Sequence, residues 1–354
     1  MLIRVKLQRQ VRQICFLLNQ PGVSQRRTLH LKMAARAKFF DSTISTKGEF
    51  MRKDSSFRNW ITADGSSGFK AEGDRYHLYV SLACPWAHRT LIARKLKGLE
   101  DVIPYTVVDW LMGEKGWNFT DKKPKCSPDP LFNAQYVREL YFKANPDYEG
   151  RFTVPMLWDK KNSTIVTNES SEIIQMFNSE FNDFCATPEQ KELDLYPEHL
   201  KAQVDGVNEW IYNDINNGVY KSGFARSQEA YDKAVTQLFA SLDRVEEILS
   251  KTRYLTGNQL TLADIRLFTT LVRFDPVYVG HFKCNKKRIM DYPNLWGYTR
   301  DVYQTPGVAE TVDREHIEKH YQQSHTSINP FAIVAIGPEL DFNLPHNRDK
   351  MTKA

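Results

Sequence analysis

The run Cys84-Pro85-Trp86-Ala87-His88-Arg89 is the place in this chain where residue types and spacing could do chemistry. Pro85 fits the first position of a helix, where its missing N–H costs nothing, and this puts Cys84 at the cap. A thiol at a helix N-terminus sees the partial positive charge of unpaired amides, so its thiolate is favoured and its pKa is expected to fall below about 8.5. His88 and Arg89 lie one turn on. Arg89 could add positive charge, although a core-facing His88 and an outward Arg89 are the ordinary outcomes. The bland reading of Cys84 is a small buried core residue, but its place at the cap favours a nucleophile. Ala87 stands where a dithiol oxidoreductase carries its resolving cysteine. No internal disulfide can close there, and a mixed disulfide on Cys84 needs an external thiol to resolve it.

Glutathione is the obvious thiol, and two further segments suit it. Glu169-Ser170 at the start of a second helix can offer backbone N–H, hydroxyl and carboxylate together to a γ-glutamyl group. The Val154-Pro155 turn, if its bond is cis, would expose the Val154 backbone to pair with the cysteinyl part of a peptide.

These groups need elements to hold them. Arg75–Ser81 alternates and is rich in β-formers, which predicts a strand, and the helix that opens at Pro85 leads to a second strand at Val102–Val108. Thr153–Asp159 and Thr164–Val166 read as a hairpin. A capped helix follows over Asn168–Phe177, with Ile173, Ile174, Met176 and Phe177 on its apolar face. The order β-α-β, then β-β-α, is that of a thioredoxin-like α/β domain. Polar residues 113–134, with Pro124, Pro128 and Pro130, predict a long inserted loop. From about residue 190 strand signals give way to amphipathic stretches such as Leu200–Ile215 and Ala230–Leu249, so the second domain is all-α. Thr261-Leu262-Ala263-Asp264 reads as a structural capping box. The expected organisation is a leader at 1–40, the thioredoxin-like domain at 41–185, the helical domain at 190–340 and a tail at 341–354.

The 354 residues, 41% hydrophobic and 26% charged, suit two globular domains. No stretch approaches the ~20 apolar residues of a membrane helix. Residues 1–40 hold nine bases and no acid, so the remaining chain carries more acids than bases and lacks the basic stripe that nucleic acid needs. The leader, from Met1 through Arg12 onward, is basic and amphipathic, as in a mitochondrial presequence; Met33 offers a second start, giving a cytoplasmic form. Five scattered cysteines without a Cys-x-x-Cys pair speak against a disulfide framework or a zinc site, and no metal is expected.

On three segments, Cys84–Arg89, Arg151–Asp159 and Asn168–Ile174, the sequence resembles the glutathione transferase superfamily. Within it the chain is most similar to the omega-like Xi class of fungal and bacterial type, the glutathionyl-hydroquinone reductases. Asn216–Lys221, Leu255–Asn258, Arg273–Tyr278 and His281–Asn285 extend the resemblance through the helical half, over about residues 45–340. It implies a glutathione-binding thioredoxin-like domain and a helical domain that closes the electrophile site, usually in a homodimer. It also implies that Cys84 attacks the sulfur of a glutathionyl-hydroquinone and that a second glutathione releases the enzyme, with dehydroascorbate reduction as a related activity. By position Trp117 resembles the tryptophan that packs on glutathione and Arg151 the partner of a glutathione carboxylate. Tyr220 and Tyr321 resemble the tyrosines that face the quinone-type substrate. Plainer roles for the four are a loop anchor, a surface ion pair and two core rings; Cys284 reads as packing.

Two rival functions remain open on sequence. One is a transferase that activates glutathione through a Ser or Tyr hydroxyl and conjugates it. The other is a non-catalytic transferase-like interaction module, which would tolerate loss of Cys84, Pro155 and Glu169-Ser170 together.

Overall fold

The computed structural model describes residues 44–52 and 54–353. The leader at 1–40 lies outside them. Strand β1 (Tyr76–Val80) is followed by helix α1 (Pro85–Leu96), β2 (Tyr105–Val107), α2 (Val137–Ala144), β3 (Met156–Asp159), β4 (Thr164–Thr167) and α3 (Ser170–Ser179). The sheet order is β2-β1-β3-β4. β1 runs parallel to β2 and antiparallel to β3, with His77 opposite Trp158, and β3 and β4 form the hairpin read from sequence. The parallel pair needs a crossover, which α1 supplies. This is the thioredoxin-like order expected from the sequence, with α2 as an added element. Its Val137, Leu140 and Tyr141 are buried at helical spacing, a pattern the sequence reading passed over beside the proline-rich loop.

Residues 113–134 hold no strand or helix among the named elements, yet the segment is tied down. The Asp129 carboxylate accepts the N–H groups of Leu131, Phe132 and Ala134 and the Tyr79 hydroxyl at 2.6 Å.

After α3 the named elements are helical. The long ones are α4 (Lys201–Ile211), α5 (Gln228–Lys251), α6 (Leu262–Arg273), α7 (Pro293–Gln304) and α8 (Arg314–Ser324), and π-helical turns extend α4 over Tyr212–Asn216 and α6 over Phe274–Tyr278. Asp264 does more than close the capping box on Thr261. Its carboxylate also accepts the Leu255 N–H at 2.9 Å and the Tyr298 hydroxyl at 3.0 Å, which ties α6 to the preceding loop and to α7.

α1 is packed between α3 on one side and α6 on the other. Eleven of its twelve residues are buried, so it has no solvent face on which to place its polar side chains. Arg89, expected to point outward, is therefore buried. It finds neutral acceptors instead, Asn216 Oδ1 at 2.9 Å and Ser170 Oγ at 3.4 Å, and its guanidinium lies 4.4 Å from the Trp86 ring centroid. Arg94 likewise donates to the Ile103 and Glu100 carbonyls. A helix buried all round leaves little amphipathic signal from which to orient a side chain.

Candidate functional site

Cys84 is the N-cap of α1 and Pro85 its first residue, as the sequence predicts. The thiol donates to the Val154 carbonyl at 3.4 Å, and Val154-Pro155 is cis. The Trp86 and Ala87 N–H groups face the sulfur, and the Arg273 and Arg52 guanidiniums act on it from farther away. The sequence led us to expect a depressed thiol pKa. Burial instead pushes the Cys84 thiol up, and the helix amides and the two guanidiniums offset this only in part. The helix terminus is where it should be, but desolvation of the charged form outweighs it.

A cleft opens beside the cysteine, lined by Arg52, Ser55, Trp86, Arg151, Val154, Glu169, Ser170 and Tyr212 among others. Four of the five residues predicted to bind a thiol peptide, Arg151, Val154, Glu169 and Ser170, thus share one wall. Glu169 caps α3: its carboxylate accepts the Ser171 N–H at 3.0 Å, the Ser171 hydroxyl at 2.9 Å and the Ser55 hydroxyl at 3.2 Å. Burial raises its pKa, but the Ser171 bonds and the charges of Arg89 and Arg52 win, and the carboxyl is held below its ordinary value. Arg151 is pushed down to about 10, chiefly by burial and then by the neighbouring Arg52 charge. The cleft thus offers the capped Glu169 carboxylate, a second carboxylate at Asp54, the Arg52 and Arg151 guanidiniums and the backbone at Val154.

The fifth residue, Trp117, is not part of the cleft wall. It is buried and stacks on His320 of α8, with ring centroids 4.8 Å apart. Tyr220, on the short helix Gly218–Gly223, and Tyr321, on α8, are brought together across 101 residues of sequence, hydroxyl to hydroxyl at 2.5 Å. Tyr278 adds a third hydroxyl, 2.9 Å from that of Tyr321. Tyr220 lies within electrostatic reach of Cys84, and burial pushes its pKa up to about 12. These phenols therefore keep their protons at neutral pH and can donate them. Sequence reasoning missed Tyr278 as part of this set, although it closes the segment Arg273–Tyr278. It missed Arg52 as well, whose guanidinium lies 4.0 Å from the Trp86 ring centroid; that arginine sits in a polar segment before β1 and carries no local signal.

Cys284 is buried, with its thiol pushed up to about 12 by burial. The described cysteines are all free thiols. Among the described residues no group of three or more His, Cys, Asp or Glu side chains is arranged to hold a metal ion, and no helix is long and apolar enough to cross a membrane.

Comparison with known proteins places this geometry. Residues 83–180 match the glutathione S-transferase N-terminal domain and residues 228–301 the C-terminal domain. The glutathionyl-hydroquinone reductase YqjG of Escherichia coli is 60% identical over 313 residues, covering 87% of this chain and 94% of that protein. The crystal structure of the glutathione S-transferase Xi from Phanerochaete chrysosporium superposes with a TM-score of 0.82 at 57% identity, over 85% of this chain and 96% of that one. The chain belongs to the Xi class of the glutathione transferase family. The glutathione-bound structure of YqjG aligns with this transferase at a TM-score of 0.81 and 60% identity, over 83% of this chain and 96% of that one. The cleft therefore lies in a fold that binds glutathione in a near relative, and the Cys84 segment falls inside the N-terminal match of this transferase.

Proposed function

We propose that the protein is a glutathione-dependent thiol reductase that removes glutathione from glutathionyl-hydroquinones, with Cys84 as the nucleophile. One observation carries this reading. A cysteine caps a helix beside a cleft, its thiol on the Val154 carbonyl of the lining, and the cleft wall presents the Glu169 carboxylate, Ser170 and the Arg151 and Arg52 guanidiniums. The donor set is complementary to glutathione: Glu169 suits the α-amino group, the N-terminus of α3 and the two arginines suit carboxylates, and Val154 suits the cysteinyl backbone. The names of the near relatives support the substrate class.

In the first step the Cys84 thiolate attacks the sulfur of the glutathionyl-hydroquinone. An S–S bond forms to Cys84 and the bond from sulfur to the ring carbon breaks. The ring carbon keeps the electron pair and takes a proton, so the ring is reduced while the two sulfurs are oxidised. Tyr220 and Tyr321, with raised pKa values, hydrogen-bond the hydroquinone oxygen and keep the ring in line. In the second step the thiolate of another glutathione attacks the mixed disulfide, and Cys84 leaves as thiolate with glutathione disulfide as product.

Dehydroascorbate, a small oxidised electrophile, is a further substrate in this proposal. So are assembly as a homodimer and delivery to mitochondria by the basic, acid-free residues 1–40, with a cytoplasmic form beginning at Met33. The test is reduction of a glutathionyl-hydroquinone by the purified protein beside Cys84→Ser and a conjugation assay on an aromatic halide. Reduction lost in Cys84→Ser is the expected result. Reduction that survives the substitution, or conjugation without reduction, overturns the reading.

A further inference from the structure

Arg273, the last residue of α6, is fully buried, and among the described residues no carboxylate pairs with it. Its guanidinium is instead used up on neutral acceptors. Nε donates to the Ala83 carbonyl at 2.9 Å, Nη2 to the Leu82 carbonyl at 3.0 Å, and Nη1 to the Thr269 carbonyl at 2.8 Å and to His88 Nδ1 at 2.9 Å. Two of these acceptors belong to the turn directly before Cys84, so a side chain from the helical half holds the backbone that aims the thiol.

The contact with His88 also settles where that ring carries its proton. Because Nδ1 accepts from Arg273, the proton is on Nε2, which donates to Thr311 Oγ1 at 2.8 Å; the Thr311 hydroxyl in turn donates to the Val308 carbonyl at 2.6 Å. His88 is therefore neutral and adds no second cation. A buried guanidinium with no anion is costly to keep. Besides the neutral His88 and His320, the groups within its field are Cys84, Tyr220, Tyr278 and Tyr321, the side chains that could carry negative charge during the reaction.

We propose that Arg273 is the positioning residue and resident counter-ion of Cys84: it clamps the Leu82–Ala83 turn and holds a positive charge that is matched only when the thiolate forms. This rests on the reading of Cys84 as nucleophile, and it deepens that reading by making reactivity of the thiol depend on docking of the helical half. It also gives a reason for the segment Arg273–Tyr278 to be one unit, since the counter-ion and one of the three phenols lie at its two ends.

The test reads thiol chemistry apart from turnover. The rate constant for iodoacetamide alkylation of Cys84 is measured by peptide mass at pH 8 in the full-length protein and in Arg273→Gln and Arg273→Lys. Gln keeps a donor but loses the charge, whereas Lys keeps the charge but loses the fork. Arg52 and Tyr220, which also carry charge or titrate near Cys84, are the same in all three proteins; His88 meets the substituted side chain at Nδ1, and burial, the larger cause of its lowered pKa, keeps it neutral in each. Below the thiol midpoint the rate follows the thiolate fraction, so an upward shift of about one unit in Arg273→Gln reads as a tenfold slower alkylation. Arg273→Lys is expected to stay within about threefold of the parent. Unchanged alkylation in Arg273→Gln, a tenfold loss in Arg273→Lys, or failure of the lysine variant to fold each overturns the proposal. A failed catalytic role for Cys84 would show differently, as reductase activity that survives Cys84→Ser.

Discussion

Acidification from pH 7 to pH 5 is expected to remove about 5 kcal/mol from the stability of this fold, because the structure keeps several histidines neutral in its interior. His77 beneath the sheet and His281 and His320 around Tyr321 are each held near a pKa of about 4, in every case mainly by burial. An unfolded histidine titrates near 6.5. Below that value the unfolded chain takes up protons that the fold refuses, so this contribution to stability is complete above pH 6.5 and is lost as the pH falls toward 4. For one such group the loss between pH 7 and pH 5 is about 1.8 kcal/mol, and three give about 5. Domains have roughly 5–15 kcal/mol in total, so the native state should be close to its midpoint at pH 5. The assay is urea unfolding followed by circular dichroism at the two pH values, with His77→Gln alongside. His77 bonds only a hydroxyl through Nε2, Thr106 Oγ1 at 2.8 Å, which a glutamine can also reach; that variant is expected to lose about 2 kcal/mol less than the parent on acidification. A change below about 1 kcal/mol in the parent, or an identical slope in His77→Gln, would refute the reasoning.

Other expectations follow from the same contacts. Tyr321→Phe removes the hydroxyl shared by Tyr220 and Tyr278; steady-state kinetics is expected to show kcat for reduction at least tenfold lower, with alkylation of Cys84 unaffected. Glu169→Gln keeps the shape of the α3 cap but loses the charge, so KM for glutathione is expected to rise about fivefold or more while kcat changes little. An unchanged KM would remove Glu169 from the binding site. Asp264→Ala strips acceptors from Leu255, Thr261 and Tyr298 at once, and denaturant titration is expected to give a loss of about 3 kcal/mol or more.

Much of this molecule is legible along the chain wherever local signals agree. Pro85 after Cys84, the alternating run of β-formers before it and the acidic start of α3 place the cap cysteine, the strand and the helix that opens at Ser170 without tertiary information. What failed was electrostatic or long-range. The thiol pKa could not be read from the cap alone, because the sign is decided by how deeply α1 is buried between α3 and α6. Arg89 was misplaced for the same reason. Arg52, Arg273 and Tyr278 join the site from distant parts of the sequence; nothing local marks Arg52, and the segment Arg273–Tyr278 stands out only by resemblance, which does not say that its two ends reach the Cys84 turn and the tyrosine cluster. Trp117 shows the converse: a conspicuous aromatic residue whose stacking partner, His320, lies some two hundred positions away and outside the cleft.

The account stands or falls on where glutathione becomes attached. The protein is mixed with one equivalent of a glutathionyl-hydroquinone and no free glutathione, quenched in acid, and examined by intact and peptide mass spectrometry. One glutathionyl group on the peptide that contains Cys84, removable by added glutathione and matched by released hydroquinone, is the predicted result. Hydroquinone released without an adduct on Cys84, or an adduct confined to Cys126, Cys185 or Cys284, would contradict it.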